Sequence, residues 1–144
     1  MQAMPKVADD ELVLVLYGDV PLIRKDTLEQ LIAAAGPKSM SLLTVMFDNP
    51  AGYGRIVRKS GKIQKIVEQK DATKLQLRIR ECNSGIMAVP AKLLKKWLGK
   101  LKNSNSQGEY YLTDIIAMAV KEKVKVTPLI APTPIAAAPA TAST

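Results

Sequence analysis

The sequence predicts an α/β fold, because an amphipathic helix separates two strongly apolar segments. Residues 12–16 form a continuous apolar run of the kind found in strands that are covered on both faces. Apolar residues then recur at helical spacing between residues 28 and 35, before a Gly-Pro stop signal, and a second apolar run follows at residues 41–47. Strand, helix and strand in this order form the βαβ unit of a parallel sheet. We therefore expect a mostly parallel sheet.

The middle of the chain predicts a β-hairpin inserted into that sheet. Two short β-prone runs, residues 54–58 and 62–68, flank a Lys-Ser-Gly turn signal. Strand character returns at residues 82–89. Amphipathic helices are expected at residues 90–101 and around residues 112–119, with a last strand at residues 124–130.

The chain has the length of a single domain. We assign residues 1–130 to it. Residues 131–144 consist largely of Pro, Ala and Thr, a low-complexity composition that predicts a disordered tail.

Composition favours a cytoplasmic protein. The 144 residues include a single cysteine, Cys82, which fits a reducing compartment. The first residues contain no long apolar segment typical of a secretory signal, and no stretch approaches the length needed to span a membrane.

The formal net charge of +8 is concentrated in the middle of the sequence. Residues 55–102 contain fourteen Lys or Arg residues against three acidic ones, Glu68, Asp71 and Glu81. Such a segment could bind a polyanion such as nucleic acid, or it could be an ordinary solvated surface. Nucleic acid is the less favoured partner, because no recognisable DNA- or RNA-binding motif accompanies the charge and few aromatic residues are available for stacking.

The sequence contains no histidine, and this excludes several kinds of chemistry. Ser-His-Asp and Cys-His catalysis are ruled out, as are most transition-metal sites built on imidazole.

Asp19 is the first candidate for a functional residue. It follows the apolar run at residues 12–16, and ligands of parallel α/β sheets bind beyond the carboxyl ends of the strands. A carboxylate there could hold Mg²⁺, which prefers oxygen ligands, and Gly18 would let a ligand approach the backbone. The alternative is that Gly18 and Asp19 only turn the chain.

Four further positions carry groups suited to ligand binding. Gly54 lies in a Gly-Tyr-Gly loop, Glu68 ends a predicted strand, and Asn83 opens an Asn-Ser-Gly segment that can hydrogen-bond a sugar. Thr113, near a helix start, could bind a phosphate or cap the helix. Each signal is weak when taken alone.

Taken together and in chain order, five motifs resemble one enzyme family. They are LYGDVPL at residues 16–22, GYGRI at 52–56, IVEQKDA at 66–72, NSGI at 83–86 and QGEYYLTDII at 107–116. The pattern resembles the uridylyltransferase domain of the bacterial bifunctional N-acetylglucosamine-1-phosphate uridyltransferase / glucosamine-1-phosphate acetyltransferase, over residues 4–130.

The resemblance implies a fold, a reaction and a set of site residues. The fold is a Rossmann-like nucleotidyltransferase fold. The reaction joins UTP and N-acetylglucosamine 1-phosphate to give UDP-N-acetylglucosamine, a cell-envelope precursor for peptidoglycan and lipopolysaccharide, and pyrophosphate. Tyr17 and Gly18 would lie against the nucleotide-sugar and Asp19 would bind Mg²⁺. The sugar would contact the residues Gly54, Glu68 and Asn83.

The sequence also departs from the family pattern. The family's first strand and its G-x-G-T-R-M triphosphate loop have no counterpart in these 144 residues, so we expect a partial fold. The residues that read uracil, the second metal ligand and the acetyltransferase repeats of the family also have no counterpart in these 144 residues. We therefore expect this polypeptide alone to be inert or nearly so, and a complementing polypeptide or a homo-oligomer is conceivable. Two alternatives stay open: a basic binding module without enzymatic activity, and a nucleotidyltransferase for another sugar phosphate or nucleotide.

Overall fold

The computed structural model describes residues 6–16, 23–105 and 107–131. In these residues the strands are β1 (Leu12–Leu16), β2 (Ser39–Met46), β3 (Arg55–Lys59), β4 (Lys62–Val67), β5 (Glu81–Pro90) and β6 (Lys125–Ile130). The α-helices are α1 (Lys25–Ala34), α2 (Ala91–Leu98) and α3 (Asp114–Lys121), and single 3₁₀ turns occur at Gln69–Asp71 and Gln76–Arg78. Every strand and helix expected from the sequence is present, with boundaries shifted by a few residues.

The six strands form one mixed sheet, so the expectation of a mostly parallel sheet needs correction. The strand order is β4-β3-β5-β2-β6, and β1 also pairs with β5. Only β2 and β6 pair in parallel among the described strands; β1, β2 and β3 each pair with β5 in the antiparallel sense, as β3 does with β4.

The predicted βαβ unit has the correct direction but a different neighbour. β1 and β2 point the same way because both are antiparallel to β5, and β5 occupies the place between them. The pattern at residues 12–47 specifies the direction of these strands. It carries no information about β5, which begins only at Glu81.

The two faces of the sheet bury separate apolar clusters. α2 and α3 cover one face, where Trp97, Leu42 and Ile116 are fully buried, and α1 covers the other through Leu31, which contacts a cluster containing Ile86. Aliphatic side chains thus supply almost the whole core. The predicted hairpin β3–β4 extends the sheet beyond the start of β5 and packs against α3.

The last described residue, Ala131, still belongs to the packed structure. Its N–H donates to the carbonyl of Thr44, and its side chain is buried. The rest of the low-complexity segment, residues 132–144, lies outside the described residues, as does the expectation that it is disordered.

Candidate functional site

Gly54 and Glu68 meet at the open end of the hairpin. Gly54 immediately precedes β3 and Glu68 immediately follows β4, so antiparallel pairing of the two strands brings them side by side. A Cβ atom on Gly54 would lie 3.4 Å from Glu68 Oε2 and 3.0 Å from Ile66 Cγ2. Glycine therefore lets Ile66 and Glu68 pack against the backbone at a distance that any other side chain would prevent.

Asn83 joins this pair through a bulge in β5. Its backbone N–H donates to the carbonyl of Gly54 at 2.9 Å. The register between β2 and β5 shifts so that Thr44 faces Asn83 while Leu43 faces Ile86, which leaves Ser84 and Gly85 as the extra residues of the bulge.

Hydrogen bonds within the bulge determine its shape. Asn83 Oδ1 accepts from the N–H of Gly85 at 3.0 Å, and Gly85 has a φ of +85°, which glycine adopts without strain. Ser84 Oγ donates to the carbonyl of Leu43 at 2.6 Å. The Asn83 side chain is half-buried, and its Nδ2 has no partner in the part of the chain that the structure describes.

Thr113 does not cap α3 but bonds to Glu68. Its side chain is buried and makes no capping bond to α3. Instead, Thr113 Oγ1 donates to Glu68 Oε2 at 2.8 Å. The capping expectation is wrong, because Thr113 itself has helical backbone angles, with φ at −61° and ψ at −17°, whereas a capping residue is usually extended. The hydrogen bond from Thr113 orients the side chain of Glu68.

The surroundings of Glu68 disfavour the ionised form of its carboxyl group. Burial raises the pKa of Glu68 above its ordinary value; the hydrogen bond from Thr113 opposes this shift, and the nearby charges of Asp114 and Asp71 add to it. Burial, followed by the charge of Asp71, also raises the pKa of Asp114. The site is thus acidic and partly shielded from solvent, and Glu68 gains from any ligand hydroxyl that bonds to it.

Three of the six site residues named from the sequence are therefore neighbours: Gly54, Glu68 and Asn83. The other three, Tyr17, Gly18 and Asp19, lie outside the described residues, directly after the end of β1 at Leu16. The carboxylate of Glu68 and the side-chain amide of Asn83 are suited to hydrogen-bonding a polar ligand.

The described residues offer neither a metal cluster nor an activated thiol. Residues 6–16, 23–105 and 107–131 contain no group of three or more His, Cys, Asp or Glu side chains able to hold a metal ion. Cys82 is fully buried, and burial raises its pKa to about 11, so its thiolate is scarcely populated at neutral pH.

The basic middle of the chain is less available to a polyanion than its composition indicates. Arg55 is buried. Five others are bonded to carboxylates: Arg58, Arg80, Lys95, Lys96 and Lys100. Much of the positive charge is thus neutralised locally.

Sequence reasoning missed two residues that border the site. Gln69 and Arg55 form a hydrogen-bonded pair next to Glu68 and Gly54. The sequence could have singled out Arg55, because it is a charged residue at the start of the otherwise apolar Arg-Ile-Val segment.

None of the helices among the described residues is sufficiently long and apolar to cross a membrane.

Comparison with known proteins supports the resemblance inferred from the motifs. The chain is 62% identical, over 127 residues, to the bifunctional protein GlmU of Marinobacter nauticus. The match covers 88% of this chain and 28% of that protein, so the chain spans little more than a quarter of its relative's length. No family model matches the chain.

A solved structure shares the fold. It is a protein from Bacillus anthracis assigned as a glucose-1-phosphate thymidylyltransferase and crystallised with sucrose, and it superposes with a TM-score of 0.64 over 99% of this chain and 57% of its own. At 20% sequence identity the likeness concerns the fold alone. It supports a partial α/β, Rossmann-like nucleotidyltransferase fold.

Proposed function

We propose that this chain, a homologue of one segment of the bifunctional protein GlmU, carries the sugar-recognition part of a uridylyltransferase that forms UDP-N-acetylglucosamine. The reaction would transfer UMP from UTP to N-acetylglucosamine 1-phosphate and release pyrophosphate, which provides a precursor for the cell envelope. The observation that carries the proposal is the convergence of Gly54, Glu68 and Asn83, from three separated motifs, in a protein 62% identical to that relative.

In this proposal the three residues bind the N-acetylglucosamine group. Glu68 Oε2 is engaged by Thr113, which leaves Oε1 to accept from a sugar hydroxyl. The Nδ2 of Asn83 would donate to a sugar or acetamide oxygen. Gly54, which has no side chain, allows Glu68 and Ile66 to pack closely against its backbone and so helps to place the Glu68 carboxylate. These groups hold the acceptor sugar in place, which is the main contribution a protein makes to phosphoryl transfer.

The nucleotide end is assigned to the residues that follow β1. Tyr17 and Gly18 would contact the nucleotide-sugar and Asp19 would be a ligand of Mg²⁺, all at the carboxyl end of a strand, where such sheets bind ligands. A bound Mg²⁺ would neutralise phosphate charge. Asp19 is the residue that we assign to the metal.

A cytoplasmic location completes the proposal. It is supported by the single cysteine of the sequence, Cys82, which is a buried free thiol.

Binding of UDP-N-acetylglucosamine, measured by isothermal titration calorimetry, tests the sugar site. We expect Asn83→Ala and Glu68→Ala to weaken binding by about tenfold or more, as each removes a hydrogen bond to a ligand in a partly shielded site. Glu29→Ala and Asn103→Ala change exposed residues outside the site and should bind as the unmodified chain does. Equal affinity in all five proteins, or no binding by any of them, would contradict the sugar site.

Pyrophosphate release from UTP, N-acetylglucosamine 1-phosphate and Mg²⁺ tests the catalytic capacity of these 144 residues. We expect at most trace turnover, because the sequence has no G-x-G-T-R-M segment to hold the triphosphate. Turnover at rates of about 1–10³ s⁻¹, usual for enzymes, would refute this expectation. Titration of other nucleotide-sugars in the same calorimeter decides between N-acetylglucosamine and another sugar.

A further inference from the structure

Arg55 is a buried cation that forms no ion pair with a buried carboxylate among the described residues. It is the first residue of β3 and only 2% exposed. Within the described residues it makes no ion pair, and its Nε is buried without a hydrogen-bond partner. A buried charge satisfied only by neutral groups is a poor source of stability, since an apolar residue of similar size would avoid the cost of desolvation.

The guanidinium group instead joins three segments of chain. Nη1 donates to the carbonyl of Tyr53 and, at 2.7 Å, to Gln69 Oε1. Nη2 donates to the carbonyl of Leu77 at 3.3 Å. The N–H of Gly52 donates to the same Gln69 Oε1 at 2.9 Å, so the glycine loop and the Arg55 side chain share one acceptor.

Two of the three residues that the Arg55 side chain bonds, Tyr53 and Gln69, adjoin residues of the proposed sugar site, and the third, Leu77, does not. Arg55 itself follows Gly54, and its acceptor Gln69 follows Glu68. Its partner across the sheet, Cys82, precedes Asn83. The three site residues come from distant parts of the sequence. The Arg55 side chain bonds the backbone next to Gly54 and the side chain next to Glu68, and strand pairing of Arg55 with Cys82 places it beside the segment that carries Asn83.

We propose that Arg55 is a positioning residue for sugar binding, acting through Gln69 and the loop at residues 52–54. This inference rests on the proposed function. Arginine suits the task because its rigid planar fork can bond several acceptors at fixed angles. Lysine would keep the charge but, as a flexible point charge, would not hold the three segments in register.

The first test measures the affinity for UDP-N-acetylglucosamine by calorimetry in two matched pairs of variants. We expect Arg55→Lys to weaken binding about tenfold, although it touches no ligand atom, whereas Arg58→Lys, in the same strand, should leave the affinity within about threefold. Gln69→Ala should weaken binding as Arg55→Lys does. Gln69→Glu keeps an acceptor for Gly52 and Arg55 and should stay close to the unmodified chain. Affinity within twofold of the unmodified chain in Arg55→Lys would overturn the inference while leaving the proposed function intact.

The second test needs no ligand, so it separates the two proposals if the chain fails to bind the nucleotide-sugar. Amide hydrogen exchange followed by NMR should show faster exchange at Gly52 and Asn83 in Arg55→Lys. Exchange at Val15 and Met87, in the β1–β5 pair, should be unchanged. Unchanged exchange at Gly52 and Asn83, or faster exchange throughout the molecule, would overturn a positioning role. Should Arg55→Lys not fold, Gln69→Ala disrupts the same network from a partly exposed position and is judged by the same two outcomes.

Discussion

The two halves of β5 differ in their regularity, their burial and their hydrogen bonds. Residues 86–90 run regularly between β1 and β2, and Ile86, Met87, Ala88 and Val89 are at most 1% exposed. Residues 81–85 contain a bulge, carry Glu81, Asn83 and Ser84, and exchange hydrogen bonds with β2, β3 and the glycine loop.

This difference separates two tasks within one strand. Burial of apolar surface is non-directional and holds the regular half in the centre of the sheet. Hydrogen bonds are directional. Together with the bulge, they orient the polar side chains of residues 81–85 toward the candidate site. Changes in the regular half should therefore lower stability most, and changes in the bulged half should lower it less and should alter recognition or the dependence of stability on pH.

The largest effect is expected from Met87→Ala, in the regular half. The substitution leaves a cavity in the core between β1 and β2 and should lower the free energy of unfolding by about 2–5 kcal/mol. Urea denaturation measures the loss. Leu75→Ala, at a position 74% exposed, is the control and should change stability by less than about 0.5 kcal/mol. Equal losses in the two variants would show that burial of Met87 does not stabilise the regular half.

A smaller loss is expected from Glu81→Ala, in the bulged half. Glu81 accepts from Arg58 Nε at 2.7 Å and from Thr44 Oγ1 at 2.7 Å, so its removal leaves a half-buried guanidinium and a buried hydroxyl without their acceptor. We expect a loss of about 1–3 kcal/mol by urea denaturation. Glu29→Ala, on the exposed side of α1, serves as the control.

Glu81 should also contribute to the loss of stability in acid. Burial raises its pKa, but the hydrogen bonds from Arg58 and Thr44 and the charge of Arg58 outweigh burial and lower it below its ordinary value of 4.5. The stability that Glu81 contributes is present above pH 4.5 and is lost as the pH falls through the lower pKa of the folded state. Glu81→Gln should therefore lose less stability in acid than the unmodified chain. A parallel decline in both proteins would show that the pair is not formed.

The smallest effect is expected from Glu68→Gln, with the opposite dependence on pH. Burial raises the pKa of Glu68, so its ionisation costs the folded state stability as the pH rises from 4.5 through the raised pKa. Glu68→Gln removes this cost, keeps an acceptor for Thr113, and should gain less than about 1 kcal/mol at pH 7 after solvent screening. Thermal unfolding at pH 4 and pH 7 measures it; a lower stability of the variant at pH 7 would contradict the acidic, shielded site.

Local patterns predicted the elements of this fold accurately but not their arrangement. The run at Leu12–Leu16 and the hairpin of β3 and β4 are confirmed, because apolar periodicity and turn residues act within a few positions of each other. The mixed sheet was missed because β5 lies between β1 and β2, which depends on packing between distant segments.

The candidate site shows the same division. Gly54, Glu68 and Asn83 were named from motifs, while Thr113 was assigned to a cap or a phosphate and Gln69 was not singled out. The bond from Thr113 to Glu68 joins residues 45 positions apart, and that from Arg55 to Gln69 joins residues 14 apart. No local pattern encodes either bond.

The strands, the helices and the resemblance to a segment of GlmU can be inferred from sequence alone, which also names the candidate site residues, since each is a property of short stretches read in order. The folded structure was needed to show that β5 separates β1 from β2, that its bulge brings Asn83 to Gly54, and that a buried arginine bonds the loop beside them. These features depend on register and burial between distant segments, and the free energy that selects them arises only when the segments pack together.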